Sequence, residues 1–126
     1  LLPEAQPNKK IYAAFENLIN SLNHENWIFL YIFFELDLIK ELGFDTNLSS
    51  FKIPENFTNK FIKLKIDDYY YEVPIFLIKK ELPNKIDNEL IRKSLIFTRN
   101  ILLKKFFSPN NMIFPQSRVI LEGHFN

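Results

Sequence analysis

The chain has 126 residues, 47% of them hydrophobic and 25% charged, and its formal net charge is +1. That length fits a single domain, and the apolar content excludes an intrinsically disordered chain. The absence of cysteine excludes a disulfide framework, a thiolate nucleophile and a zinc site built on sulfur. Only two glycines are present, too few for a sandwich of strands joined by frequent turns, so a helical domain is expected.

The charge is distributed unevenly along the chain. Residues 1–75 carry 7 Lys and Arg against 11 Asp and Glu, whereas residues 76–126 carry 9 against 4. A basic half is typical of proteins that bind nucleic acid or acidic peptides, but ordinary solvated helix surface would look the same. The charge therefore favours an acidic partner without identifying it.

Apolar residues at three- and four-residue spacing predict a first helix over residues 8–22. A second helix is predicted from residue 23 or 24 to Leu42 and ends at Gly43, because glycine readily adopts the left-handed conformation that closes many helices. Most of its surface is apolar, which is typical of a helix surrounded by others. Within it, Glu35 is predicted to be a buried acid that needs a basic partner. Its charged residues leave this segment short of the ~20 apolar residues that a membrane span requires.

The rest of the chain mixes strand and helix signals. Alternating apolar residues, a turn at Asp67–Asp68 and a run of tyrosines predict a two-stranded hairpin. The segments predicted after the second helix are a loop (45–59), the hairpin (61–73), a short helix (74–80), a long helix (87–107) and a last short helix (115–123). The predicted fold class is mainly α, a helical bundle with a small inserted two-stranded β-hairpin. Residues 1–126 are expected to form a single helical domain, a fragment of a longer protein.

No constellation of residues predicts catalysis. His24 lies at a predicted helix start and His124 near the last residue, where capping or surface roles explain them. Turn chemistry explains Asp67 and Asp68 better than a metal site does. There is no Gly-rich loop that could hold phosphate. We therefore predict no enzymatic activity, no cofactor and no metal.

The predicted hairpin carries candidate residues for nucleic-acid binding, namely Lys63, Lys65 and Tyr70. Bases stack on aromatic rings while lysines contact phosphates, so this combination suits a single strand. Cross-strand packing that stabilises a small hairpin explains the same residues equally well. Both interpretations remain open from the sequence.

Four segments, taken together, resemble a known family. They are LLPEAQPNKKIYAAFENLINSL, FFELDLIKELGFDTNLSS, the hairpin that follows, and IFTRNILLKKFFSPNNMIFPQSRVIL. In the same order and spacing they are similar to the C-terminal region of the bacterial DNA repair and recombination mediator family RecO. The most specific piece is Phe34-Glu35-Leu36 followed by Leu38, then Glu41 to Phe44, then Asp45 to Leu48.

The resemblance implies a mostly helical domain that normally follows an N-terminal OB-fold, which these residues do not include. It implies a role in loading recombinase on gapped DNA, through single-strand-binding protein and RecR, and in annealing strands. Single- and double-stranded DNA would be contacted mainly through the OB-fold. It also implies a cytoplasmic, nucleoid-associated location and no membrane partner. The cysteines that some members use for zinc are missing. A generic helical protein-interaction domain and a small basic nucleic-acid-binding domain are the alternatives.

The resemblance makes the tail of single-strand-binding protein the leading partner. That tail is acidic and ends in a hydrophobic residue with a free carboxylate, so its site needs an apolar socket ringed by cations. At about 100° per residue, one side of the long predicted helix carries both kinds of residue. The tail-binding residues predicted there are Arg92, Lys93, Ile96, Arg99, Leu103, Lys104 and Phe107. The alternative is that the three apolar members belong to the core and the arginines merely flank it.

Overall fold

The computed structural model describes residues 12–13, 27–44, 46–85 and 87–125. The predicted helix over residues 8–22 lies outside the described residues except for Tyr12 and Ala13, which are helical. The described elements are, in chain order, helix α1 (Trp27–Glu41), a 3-10 turn (Leu48–Ser50), strands β1 (Phe61–Ile66) and β2 (Tyr69–Pro74), and helices α2 (Ile75–Lys79), α3 (Asn88–Leu102) and α4 (Gln116–Gly123). The predicted mainly α fold with one inserted hairpin is confirmed.

Helix α1 packs against α3 and ends as the sequence predicts. Gly43 has a φ of 93°, a left-handed conformation that glycine adopts without steric cost. Its N–H donates to the carbonyl of Lys40 at 2.9 Å, and the N–H of Phe44 donates to that of Ile39 at 3.1 Å. The prediction that this helix is surrounded is wrong on one side, because Leu30 keeps 50% of its surface exposed. An exposed apolar residue and a buried one look the same in the sequence.

The hairpin closes through a two-residue turn in which both aspartates have positive φ, 50° for Asp67 and 70° for Asp68. Two positive φ values define the type I′ turn, whose twist matches that of the flanking strands. Ile66 therefore pairs with Tyr69, and the antiparallel register runs back to Phe61 opposite Pro74. The inner face packs on the core, where Tyr71 meets Phe97 of α3 edge to face at 5.7 Å.

Helix α3 begins where the sequence predicts, at Asp87. The Asp87 carboxylate accepts hydrogen bonds from the backbone N–H groups of Glu89 at 3.0 Å and Leu90 at 3.4 Å. The Lys60 ammonium also bonds this carboxylate and holds the pKa of Asp87 below its usual value. The last five residues of the predicted long helix, Leu103–Phe107, form a π-helical turn instead of α-helix.

A buried ion pair joins three helices. Glu35 of α1 and Arg118 of α4 are both fully buried, and the Arg118 Nη2 donates to Glu35 Oε1 at 3.1 Å. The hydroxyls of Tyr31 and Thr98 donate to the same carboxylate at 2.7 and 2.6 Å, and Arg118 donates to the Leu95 carbonyl at 2.8 Å. The prediction that Glu35 has a basic partner is confirmed.

The charges of this network depend on each other. Burial and the nearby Glu35 carboxylate raise the pKa of the Tyr31 hydroxyl, so it stays a neutral donor. Burial by itself lowers the pKa of Arg118, but the attraction of Glu35 outweighs it and the pKa is raised overall. The guanidinium therefore keeps its charge inside the core. Removal of its counter-ion would leave that charge without compensation.

Substitution of Glu35 tests this network. We expect Glu35→Gln to lower the free energy of unfolding by about 3–5 kcal/mol, because it leaves a buried guanidinium without a counter-ion. Glu41→Gln, at the exposed end of the same helix, serves as the matched control and should change stability by no more than ~0.5 kcal/mol. The double variant Glu35→Leu/Arg118→Met should lose less free energy of unfolding than the sum of the losses in Glu35→Leu and in Arg118→Met. Urea denaturation measures all of these, and equal losses in Glu35→Gln and Glu41→Gln would contradict the prediction.

Candidate functional site

The seven residues predicted to bind the tail do not form one socket. Phe107 is fully buried and stacks edge to face with Phe106 and Phe114, both at 5.2 Å. Its assignment to a binding surface is therefore wrong, and it belongs to the core. The physical reason is the π-helical turn, in which the Ser108 N–H donates to the Leu103 carbonyl five residues back. A wider turn rotates Phe107 away from the line expected at about 100° per residue.

Three more of the seven residues serve internal contacts. Arg99 Nη1 donates to Glu122 Oε2 at 2.6 Å and so ties α3 to α4. The Lys104 ammonium lies 3.5 Å from the ring centroid of Tyr69, a cation–π contact that supports the hairpin. Leu103 is partly buried against the core. These residues leave only the first half of α3 for a ligand.

The other three predicted residues lie together. Arg92, Lys93 and Ile96 line a groove of about 330 Å³ between α3 and β2. The remaining residues of this groove, called here the hairpin groove, are Tyr70, Tyr71, Glu72, Phe97 and Asn100. Ile96 and Phe97 give it an apolar part, with Phe97 only 2% exposed. The sequence left open whether the apolar residues of this helix side line a binding site or belong to the core. Phe107 belongs to the core, whereas Ile96 lines the groove.

The cations of the hairpin groove differ in their availability. Lys93 forms an ion pair with Glu72 across the groove, and its ammonium lies 5.1 Å from the ring centroid of Phe61. Arg92 makes no hydrogen bond or ion pair within the part of the chain that the structure describes. A half-buried guanidinium without a partner can offer its planar pair of donors to a carboxylate.

The three residues predicted to bind nucleic acid lie on one face of the hairpin. Lys65 is opposite Tyr70 and Lys63 is opposite Glu72, so all four side chains point the same way. The Tyr70 ring is 66% exposed, and the ammonium groups of Lys63 and Lys65 lie 5.9 and 6.0 Å from its centroid. The sequence therefore placed these residues together correctly, but it did not reveal that Tyr70 also lines the hairpin groove.

Other classes of site have less support. Within the described ranges, no group of three or more Asp, Glu or His side chains is arranged to hold a metal ion. Among the same residues, none of the helices combines the length and the apolar character needed to cross a bilayer.

The chain matches one family model, described as Recombination protein O C terminal, over residues 1–51. The match supports a RecO C-terminal domain. The resemblance predicted from the sequence is confirmed over this range, which includes α1 and the Phe34–Phe44 motif, and it indicates a role in recombination and repair. No curated protein and no solved structure is significantly similar to the chain.

The RecO match ends before the hairpin begins. The hairpin groove, α3 and the hairpin lysines all lie in residues 52–126. Their similarity to the RecO family rests on the order and spacing of the sequence segments. The family match thus supports the general role, and the contacts of the groove must be argued from its geometry.

The two arginines of α3 should respond differently to substitution. Arg99→Ala should lower the free energy of unfolding by about 1–3 kcal/mol, because it removes the partner of the buried Glu122 carboxylate. The other oxygen of that carboxylate already has no partner among the described residues. Arg92→Ala should change stability by no more than ~0.5 kcal/mol, since it breaks no hydrogen bond or ion pair among the described residues. Thermal or urea denaturation of the two variants side by side measures the difference, and equal stability would contradict it.

Proposed function

We propose that this protein is a non-enzymatic mediator of DNA repair and homologous recombination that binds the acidic tail of single-strand-binding protein in the hairpin groove. The observation that carries the proposal is the Arg92 guanidinium, which has no hydrogen bond or ion pair among the described residues, beside the apolar surface of Ile96 and Phe97. A hydrophobic residue with a free carboxylate would place its side chain on that surface and its carboxylate on the arginine. Fork-shaped pairing of this kind is the geometry in which arginine binds carboxylates best.

The surroundings of the groove favour an acidic peptide. Lys63 and Lys65 lie along the outer face of the hairpin next to Tyr70, and Lys65 also forms an ion pair with Asp68 at 3.9 Å. Glu72 is the acidic residue that lines the groove, and it is neutralised by Lys93. Acidic residues preceding the tail end would therefore meet Lys63 beside the groove, which speeds encounter and disfavours basic partners.

The family match supports a general role in recombination and repair, and the resemblance to the RecO family suggests the steps of that role. A protein that holds single-strand-binding protein on gapped DNA, together with RecR, would help to load recombinase there and to anneal strands. DNA itself would be contacted mainly by an OB-fold that normally precedes this domain in the RecO family. A protein with these roles would act in the cytoplasm at the nucleoid.

Titration of a labelled single-strand-binding-protein tail peptide tests the groove. Arg92→Ala should weaken binding by about tenfold or more, because hydrogen bonds to a charged group are worth roughly 1.5–3 kcal/mol. A peptide with an amidated end should lose a similar amount with the unchanged protein. With the Arg92→Ala variant, amidation of the peptide should cause little further loss of affinity, since both changes remove the same contact.

Lys52→Ala is the matched control, because Lys52 is exposed and does not line the groove. This variant should bind the peptide as the unchanged protein does. Wild-type affinity in folded Arg92→Ala would place the tail elsewhere. Independent losses from amidation and from Arg92→Ala would separate the arginine from the carboxylate and so contradict the assigned contact.

A second candidate function is direct binding of single-stranded DNA by the hairpin. The observation that favours it is the exposed Tyr70 ring with two lysine ammonium groups about 6 Å from its centroid. An exposed ring can stack on a base while the lysines contact phosphates. The binding is expected to be weak and to fall steeply with salt, since phosphate contacts release counterions.

Binding of a labelled oligonucleotide at several salt concentrations tests this candidate. Tyr70→Phe keeps the ring and should bind as the unchanged protein does, whereas Tyr70→Ala should bind roughly tenfold more weakly. Lys63→Ala and Lys65→Ala should each reduce the slope of affinity against salt by about one. Tight binding that is insensitive to salt, or equal affinity in Tyr70→Ala and Tyr70→Phe, would contradict it.

A further inference from the structure

The open edge of strand β2 borders the hairpin groove. Among the described residues the sheet has two strands, so β2 pairs with β1 on one side and has no neighbouring strand on the other. Three successive residues of β2, namely Tyr70, Tyr71 and Glu72, line the groove. Successive side chains of a strand point to opposite faces of its sheet. All three can line one groove only where it runs along the edge of the strand, so the groove follows the open edge of β2.

The hairpin turn determines which backbone groups face that edge. A two-residue type I′ turn makes Ile66 and Tyr69 a hydrogen-bonded pair. Hydrogen-bonded and non-hydrogen-bonded pairs alternate along an antiparallel ladder, so Tyr70 and Glu72 stand in non-hydrogen-bonded pairs. Their N–H and C=O groups therefore point away from β1, toward the open edge. None of these groups has a hydrogen-bond partner among the described residues.

The position of Pro74 agrees with this assignment. Pro74 takes the next outward position of β2, opposite Phe61. Proline has no N–H to donate, and within sheets it occurs where the missing donor would face an open edge. The backbone donors of the β2 edge are therefore those of Tyr70 and Glu72, the two outward residues that line the groove.

The two edges of the hairpin differ in their protection. Charged side chains, lysine above all, are a common means by which proteins keep an open edge from pairing with another strand. The outward positions of β1 carry Lys63 and Lys65. Those of β2 carry Tyr70, which is uncharged, and Glu72, whose charge is neutralised by Lys93. The edge of β2 is thus the one that accepts a further strand more readily.

The cations of α3 indicate the direction of an incoming strand. Helix α3 runs antiparallel to β2, because Lys93 pairs with Glu72. Further along α3, the Lys104 ammonium lies 3.5 Å from the ring centroid of Tyr69, at the other end of β2. Arg92 therefore lies at the Glu72 end of the groove, where its guanidinium complements a carboxylate. A peptide whose terminal carboxylate binds Arg92 would run in the same direction as β2.

We propose that the acidic tail of single-strand-binding protein binds by adding to β2 as a parallel third strand. The tail residue opposite Tyr71 donates its N–H to the Tyr70 carbonyl and accepts a hydrogen bond from the Glu72 N–H. The end of the tail then reaches Arg92. This inference rests on the proposed function, because the occupant is the same tail. It adds that the backbone of the tail is recognised as well as its end.

Titration of labelled tail peptides, each N-methylated at one backbone position, tests the proposal on the full chain. Methylation removes one N–H donor, so it should weaken binding about fivefold where that N–H faces β2. It should have little effect at the residues between, so the losses should recur at every second residue.

The matching change in the protein is Glu72→Pro, which removes an outward N–H. Glu72→Ala is the control, because it removes the same carboxylate and keeps the N–H. The proline variant should bind the unmodified peptide about fivefold more weakly than the alanine variant. Equal affinity of the two folded variants would contradict the assigned hydrogen bond.

Hydrogen exchange on the unchanged protein provides a measurement without any substitution. The peptide should slow exchange of the Tyr70 and Glu72 amides, whereas the Tyr71 amide, which bonds to β1, should change little. A spin label on the first residue of the peptide should broaden the resonances of Asn100 more than those of Lys93. The reverse order would overturn the parallel direction.

Equal affinity for all the N-methylated peptides, or no protection of Tyr70 and Glu72 in the complex, would overturn strand addition. The proposed function would fail in a different way, through wild-type affinity in Arg92→Ala. If Arg92→Ala weakens binding while N-methylation shows no alternation, the tail is held by its end alone. That result would overturn this inference and leave the proposed function intact.

Discussion

The buried ion pair between Glu35 and Arg118 is the constraint on which the rest of the structure depends. Transfer of two charges out of water is expensive, and it is tolerated only where each charge has partners of good geometry. The carboxylate here accepts hydrogen bonds from Tyr31, Thr98 and Arg118, which belong to three different helices. A shift of any one helix would break several of these bonds together, so the network specifies how α1, α3 and α4 pack.

Helix α3 then becomes the common support of the surface features around it. Its buried side carries the network, its first turn borders the cavity that Asp87 and Leu90 line, and its middle turns border the hairpin groove. The hairpin is held against it by Tyr71 on Phe97 and by Lys93 on Glu72. Because these contacts fix the hairpin on the helix, Tyr70 and Arg92 come to share one groove although they lie far apart in the sequence.

The hairpin groove and the cavity at the start of α3 differ in the chemistry of their cations. In the groove, Arg92 has no hydrogen bond or ion pair among the described residues and lies beside an apolar surface, which suits a carboxylate at the end of a peptide. In the cavity, the cations are the lysines Lys60, Lys79 and Lys85, which act as point charges instead of planar forks.

The sequence alone determined the features that are local. The periodicity of α1, the left-handed Gly43, the Asp87 cap, the turn of the hairpin and the shared face of Lys63, Lys65 and Tyr70 all follow from neighbours in the chain. It also predicted a basic partner for Glu35, since an acid within an apolar helix is costly without one. Which residue that partner is depends on packing between segments 83 residues apart, so only the tertiary structure identified Arg118.

The tertiary structure also decided which predicted surface residues are free. Phe107 and Arg92 lie on the same predicted side of one helix, yet the π-helical turn rotates the first into the core while the second faces a groove. Arg99 forms an ion pair with Glu122 of α4, and the spacing of residues along α3 could not predict that contact. A helical pattern specifies the direction in which each side chain points from the helix axis. Whether that side chain meets the core, another helix or solvent depends on the packing of distant segments, because long-range contacts are made only when the whole chain folds.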